Sequence, residues 1–207
     1  MLADAHGETL RLAQLVEELL LLARADAHTD EPTTYDAQEH HSNGFIPRSQ
    51  LLELDRIVLQ LVRQFRGRLS DDDRSVKLEV GHIEPLRVRG EEESIRRVLL
   101  ILLDNAIKYT PLNEQHTAGN VVVSLERVRQ EAVLRVSDTG IGIDPEDLPH
   151  IFERFYRADR TRSREGTGLG LAIAQTLLEQ LDGRVTVESV PGQGSTFSAW
   201  LPLAKNE

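Results

Sequence analysis

The sequence predicts an α+β fold, one sheet with helices on one face, preceded by an N-terminal helix. Three observations lead there. Residues 8–26 carry apolar side chains at helical spacing. From about residue 48 onward, helical and strand-like patterns alternate. Two pairs of strand patterns near the end, 121–128 with 132–137 and 184–189 with 195–201, read as hairpins.

Composition bounds the function. The 207 residues suit one domain with an appendage. A hydrophobic fraction of 40% is enough for a core. Charged residues make up 28%, and the formal net charge of −10 argues against a general nucleic-acid binder, which needs a basic face. The acidity reads as solubility. With no cysteine, disulfides and thiolate metal sites are excluded, which fits a reducing compartment. The longest apolar run, residues 19–23, is too short to span a bilayer, and no signal peptide is visible. The expected location is cytoplasmic.

In residues 8–26, Leu12, Leu15, Leu19 and Leu22 alternate at spacings of three and four, a heptad seam widened by Val16, Leu20 and Ala23. A single helix cannot hide such a face. Its partner is either the rest of this chain or a second copy, and the polar stretch that follows favours a dimer. Residues 31–47, broken by Pro32, Gly44 and Pro47, read as a linker. His40 and His41 lack a third ligand and read as a solvated pair.

Beyond the linker, Leu54, Ile57, Val58, Leu61, Val62 and Phe65 mark an amphipathic helix. Residues 75–80 and 86–89 read as strands. Residues 92–109 read as a helix, with Ile95, Val98, Leu99, Leu102, Leu103 and Ala106 buried and Pro111 ending it. The hairpin of 121–137 turns around residues 129–131. Residues 146–152 read as a short helix, and 169–181 as a longer one stopped near Gly183. The final hairpin turns through residues 191–194.

Four segments carry chemistry. In LLDNAIKYTP, Asn105 lies near its helix end, and its amide oxygen is a hard ligand of the kind Mg²⁺ accepts beside phosphate oxygens. The alternative is an asparagine bonded to backbone. Lys108 and Tyr109 share its helix face and suit a phosphate and a nucleotide pocket, or a solvated lysine and a packing tyrosine. In DTGIGI, Asp138 ends a strand and can accept a hydrogen bond from an exocyclic amine, while Gly140 and Gly142 let backbone approach a base. An Asx turn is the alternative. In IFERFYRAD, Phe152 and Phe155 are apolar anchors, one or both holding to the core a loop whose continuation to residue 165 carries Arg157, Arg160, Arg162 and Arg164, a mobile lid. In GTGLGLAIA, Gly166, Gly168 and Gly170 open a helix whose N-terminus favours anions. No Gly-Lys-Ser/Thr follows, and the run lacks a βαβ context, so neither a Walker nor a Rossmann reading holds.

In this order the segments resemble the N, G1, F and G2 boxes of the ATP-binding domain of sensor histidine kinases. The resemblance implies a Bergerat-type two-layer α/β sandwich with a mixed sheet over residues 48–205. Residues 1–30 then look like the second helix of the dimerisation and phosphotransfer domain. ATP and Mg²⁺ are the implied cofactors. Asn105 is the implied Mg²⁺ ligand, and Asp138 reads the adenine amine with Thr139 nearby through water. Gly140, Gly142, Ile143, Gly166, Thr167, Gly168, Leu169 and Gly170 line the nucleotide with Lys108 and Tyr109. Thr196, in GSTF, resembles a position that assists adenine binding, or is ordinary strand packing. Arg157 is the first choice for a γ-phosphate contact and Arg154 the second. The implied reaction transfers the γ-phosphoryl group to a histidine for relay to a response-regulator aspartate. The implied partners are a receiver domain and a second copy through the N-terminal helix, with any membrane anchoring outside this sequence.

Two departures stand out. The family often has an asparagine four residues before its Mg²⁺ ligand, where this chain has Ile101. The family's phospho-accepting pattern, a histidine followed by an acid, a basic residue and proline, matches none of the seven histidines. The expectation is a carboxy-terminal portion of a longer kinase that binds ATP and phosphorylates a dimerisation domain only in trans. A non-catalytic nucleotide-binding or dimerising module and a serine kinase acting on anti-sigma partners stay open beside it.

Overall fold

In the computed structural model, the described residues are 50–67, 76–110, 119–158 and 166–205, with Val16, Leu19, Leu20, Leu22 and Ala23 of the N-terminal segment. The chain divides into two compact units, Met1–Pro47 and Arg48–Glu207. In the first, the five described residues are helical, with Leu22 buried and Val16, Leu19 and Leu20 exposed. The rest of the heptad seam, the linker and the His40–His41 pair lie outside the described residues.

The second unit is the α+β sandwich. In chain order it runs β1 (Gln50–Glu53), α1 (Leu54–Arg66), β2 (Val76–Ile83), β3 (Arg87–Gly90), α2 (Glu92–Lys108), β4 (Gly119–Val128), β5 (Glu131–Asp138), α3 (Gly170–Glu179), β6 (Arg184–Val190) and β7 (Gly194–Pro202). Five strands form one sheet in the order β2-β4-β5-β7-β6. The β2–β4 pair is parallel and the others antiparallel, so the sheet is mixed. A small antiparallel pair, β1 with β3, is tied to it by a bridge between Val88 and Leu203.

Period-two alternation builds the inner face. Val121, Val123 and Leu125 of β4, Ala132, Leu134 and Val136 of β5, and Phe197, Ala199 and Leu201 of β7 are all buried. The helices cover them. Buried positions on α1 are Leu54, Ile57, Val58, Leu61 and Val62, and on α2 the six expected residues from Ile95 to Ala106. Each set repeats at three and four, one stripe per helix. The helix α2 sits centrally, against α1, α3 and β5. On the other face Arg184 lies over the Trp200 ring at 4.4 Å, and the Trp200 indole N–H donates to Thr186 Oγ1 at 2.9 Å. The edge strand β2 is blunted where Arg66 Nε donates to the Leu78 carbonyl at 2.9 Å.

Three elements differ from expectation. The strand β1 was not anticipated: its four residues run straight into α1, and only pairing with β3 makes them a strand. The strand β2 runs on to Ile83 through a register shift after Val80, at Gly81. Residues 146–152 form successive turns rather than a helix. Asp147 and Leu148 donate to the Asp144 carbonyl, but the next donor needed is Pro149, which has no N–H.

The end of α3 is also instructive. The Gly183 N–H donates to the Leu178 carbonyl at 2.8 Å, closing a Schellman-type turn. The left-handed residue of that turn is Asp182, with φ of 54°, not the glycine. Gly183 is needed for space, since a Cβ there would lie 2.3 Å from the Trp200 carbonyl oxygen. Asp182→Gly should therefore relieve left-handed strain and raise Tm by about 1–3 °C. Gly183→Ala should lower it by about 5 °C or more. Thermal unfolding followed by circular dichroism checks both.

Candidate nucleotide site

The alternation that buries Ala132, Leu134 and Val136 continues to the last residue of β5, so Asp138 points inward with 8% of its surface exposed. Its Oδ1 accepts two backbone N–H groups, Gly140 at 2.8 Å and Ser195 at 3.2 Å. Oδ2 accepts no hydrogen bond from any described residue. Burial pushes the carboxyl above the ordinary aspartate range, and the two N–H groups pull it partly back.

The DTGIGI segment wraps this carboxylate. The Ile141 N–H donates to the Tyr109 carbonyl at 3.0 Å, docking the loop on the end of α2. Gly140 makes that docking possible, since a Cβ there would lie 2.2 Å from the same Tyr109 oxygen. Gly142 has φ of 66°, and the next N–H, of Ile143, donates to Ser189 Oγ at 2.8 Å. Thr139 faces elsewhere: its N–H donates to the Asn120 carbonyl, and its Oγ1 accepts the Asn120 N–H at 2.9 Å. It is exposed and bound to β4, so its hydroxyl is already engaged.

The last turn of α2 presents Asn105, Lys108 and Tyr109, all half-buried. The Asn105 side-chain amide makes no hydrogen bond with a described residue. Lys108 Nζ lies 5.1 Å above the Tyr109 ring. It also lies 2.5 Å from where a Cβ on Gly166 would stand, so the ammonium reaches the GTGLG segment. Among the described residues no group of three or more His, Cys, Asp or Glu could hold a metal ion.

In the GTGLG segment Thr167 Oγ1 accepts the Leu169 N–H at 3.2 Å, and the Ile173 N–H donates to the Leu169 carbonyl at 2.9 Å, starting α3. Leu169 is fully buried, and Gly170 is close to Ile101. The position expected to be polar is thus a methyl group packed at the start of α3, with Ile101 Cγ2 3.4 Å from a Cβ built on Gly170. The two phenylalanines are not equivalent anchors. Phe152 is half-buried, whereas Phe155 is 59% exposed, with φ of 64°. Its backbone, not its ring, holds the loop, through the Phe155 N–H to the Gly168 carbonyl at 3.0 Å. Tyr156 OH donates to Asp147 Oδ1 at 2.6 Å and fixes the preceding turns. Arg157 is half-buried and Arg154 exposed; Arg160, Arg162, Arg164 and the rest of the lid to residue 165 lie outside the described residues.

Thr196 lies on the other face of its strand from Asp138. It pairs with Ser137, and its Oγ1 donates to Ser137 Oγ at 3.0 Å. That puts its side chain on the sheet face opposite Asp138, as strand packing. Ser195, not singled out from the sequence, shares the Asp138 face and bonds it. The signal was present: Phe197, Ala199 and Leu201 mark the inner face at period two, and Ser195 extends that row. Ser189, which joins Ser195 and Ile143, has no comparable signal.

Comparison with known proteins places the chain in a family. The sequence pattern of the histidine kinase-, DNA gyrase B-, and HSP90-like ATPase family matches residues 90–205. The chain is 38% identical over 205 residues to the sensor histidine kinase RppB of Synechocystis, covering 98% of this chain and 40% of RppB. It spans between 37% and 43% of the length of RppB, YkoH of Bacillus subtilis and SenX3 of Mycobacterium. The histidine kinase AdeS of Acinetobacter baumannii has a similar structure, with a TM-score of 0.65 and 26% identity over 94% of this chain and 79% of AdeS. Full-length ShkA, solved in complex with AMPPNP, gives 0.71 and 25% over 95% of this chain and 36% of ShkA. Among the described residues no helix is long and apolar enough to cross a membrane. The chain belongs to the histidine kinase-, DNA gyrase B-, and HSP90-like ATPase family, as the ATPase domain of the sensor histidine kinase type.

Proposed function

We propose that this chain binds ATP with Mg²⁺ and presents the γ-phosphoryl group to a histidine on a dimerisation helix, for relay to a response-regulator aspartate. One observation carries the reading: a nearly buried carboxylate whose Oδ1 is held by two backbone N–H groups while Oδ2 has no partner among the described residues. An unpaired acceptor in a glycine-walled cradle suits a ligand that offers an amine, and adenine does. The Asn105 amide, without a hydrogen-bond partner among the described residues, suits Mg²⁺ for the same reason, with phosphate oxygens and water completing its shell. When bound, ATP supplies the phosphoryl group and Mg²⁺ offsets its charge.

The residues divide the remaining work by chemistry. Asp138 accepts from the base and rejects a purine that lacks an amine at that position. Gly140 keeps the wall thin. Lys108, at the entrance of GTGLG, neutralises phosphate charge, and the start of α3 adds backbone N–H groups. Arg157 lies at the foot of the lid and stabilises charge that builds up during transfer. Residues 1–30 supply part of the dimerisation hairpin, and a second copy and a receiver domain are the partners.

Calorimetric titration with a non-hydrolysable ATP analogue, with and without Mg²⁺, tests the pocket. Asp138→Asn should weaken binding on the order of 10- to 100-fold, because a charged acceptor is lost. The same variant should be more stable when empty. A carboxyl raised by burial adds no penalty below the unfolded carboxylate range and its full penalty once pH passes the raised folded value. Tm of Asp138→Asn should therefore exceed wild type at pH 7, and the two should converge toward about pH 3.5. Normal ATP binding by this variant overturns the assignment.

Two further variants separate binding from transfer. Asn105→Ala should erase the gain from Mg²⁺ while leaving Mg²⁺-free affinity within about threefold, since one neutral ligand to the metal is lost. Arg157→Ala should leave affinity nearly unchanged and slow phosphorylation of a supplied histidine-bearing dimerisation domain by about 10³-fold, measured with labelled ATP. Transfer to no such domain would favour a non-catalytic module, and phosphoserine on a partner would favour a serine kinase.

A further inference from the structure

Ser189 sits at the junction of three segments that the nucleotide reading treats separately. It lies half-buried on the edge strand β6, outside all four motif segments. Its Oγ contacts the Ile143 N–H at 2.8 Å, the Gly194 carbonyl at 3.1 Å and Ser195 Oγ at 2.9 Å. A hydroxyl has one proton and two lone pairs. The Ile143 N–H can only donate, so it takes one lone pair. The Gly194 carbonyl can only accept, so it takes the proton. The second lone pair is then left for Ser195, which must donate. Only this assignment satisfies all three contacts at once.

The consequence falls on Ser195. Its proton is committed to Ser189, so its oxygen offers only lone pairs elsewhere. Its backbone N–H is bonded to Asp138 Oδ1, which places the residue beside the carboxylate. Beside the carboxylate the two residues then offer acceptors, Asp138 Oδ2 and Ser195 Oγ, and neither offers a hydroxyl donor. An amine meets such a pair with N–H groups, whereas the carbonyl oxygen that guanine carries at the equivalent position meets only lone pairs.

We propose that Ser189 is a positioning residue that sets the donor–acceptor sense of Ser195 and thereby the preference for adenine over guanine nucleotides. This deepens the ATP-site reading and rests on it. With Ser189 shortened to alanine, the Ser195 proton loses its acceptor and can turn to the pocket, where it welcomes a carbonyl oxygen. The effect belongs to selectivity rather than to overall binding.

The test compares the affinities of the full chain for non-hydrolysable ATP and GTP analogues. Wild type should favour the ATP analogue strongly. Ser189→Ala should narrow the ratio at least tenfold, with weaker ATP and stronger GTP binding, and Ser189→Thr should keep the wild-type ratio by keeping the hydroxyl. Ser195→Ala removes the group through which Ser189 acts, so adding Ser189→Ala to it should leave the ratio unchanged. A wild-type ratio in a folded Ser189→Ala variant overturns the proposal, as does a further narrowing of the ratio in the double variant. If Ser189→Ala does not fold, a Ser189→Thr ratio narrowed like that of Ser195→Ala also overturns it. If wild type shows no adenine preference, or Asp138→Asn keeps it, the pocket reading fails instead.

Discussion

A carboxylate kept almost out of water at the end of β5 is the constraint to which the rest of the site answers. Asp138 is destabilising where it stands, since burial disfavours its charge. Its two N–H partners come from the next loop and from a strand 57 residues away. The site therefore exists only while β5 and β7 are paired in register. A one-residue slip would bring Ser137 inward and carry Asp138 to the other face. That register is enforced elsewhere, by Leu134 opposite Ala199 and Val136 opposite Phe197 on the buried face. The apolar core holds the pairing, and the pairing holds the charge.

The helix α2 joins the two ends of the site. Its buried stripe packs it centrally under the sheet, which fixes where its last turn falls. That turn carries Asn105 and Lys108 as side chains and docks the DTGIGI loop through the Tyr109 carbonyl. Groups suited to a metal, a phosphate and a base thus share one rigid support. Lys108 is also well placed electrostatically on its own helix: a cation in the last turn faces the partial negative charge of the helix terminus. Ile101, one turn earlier on the same helix, contributes packing against Gly170 where a polar side chain was expected.

What was legible in the sequence follows from how local each determinant is. The buried stripes of α1 and α2 and the alternation of β4, β5 and β7 are carried by periodicity within one segment, so they could be read directly. The strand β1 could not, because its extended form comes from pairing with residues 87–90 and not from its own four residues. Residues 146–152 depart from the helix their pattern suggests because the missing N–H of Pro149 outweighs that pattern. Motif likeness points to Thr196, whereas alternation from Phe197 back along the strand puts Ser195 on the inner face. The contact of Ser189 with the Ile143 N–H joins residues 46 positions apart and leaves no trace in spacing.

The lid shows why side-chain character alone misleads. Of the two phenylalanines, Phe155 has its ring turned to solvent and a left-handed backbone, which costs an aromatic residue about 1 kcal/mol or more. Such a conformation persists only where neighbours enforce it. The enforcing contact is the bond from the Phe155 N–H to the Gly168 carbonyl, which staples the phenylalanine segment to the glycine segment at main-chain level. Tyr156, held through its hydroxyl to Asp147, secures the other side. Arg157 therefore departs from a fixed post whose geometry owes nothing to the Phe155 side chain. Substitution of that ring leaves the post in place, whereas any change that moves Gly168 moves Phe155, Tyr156 and Arg157 together.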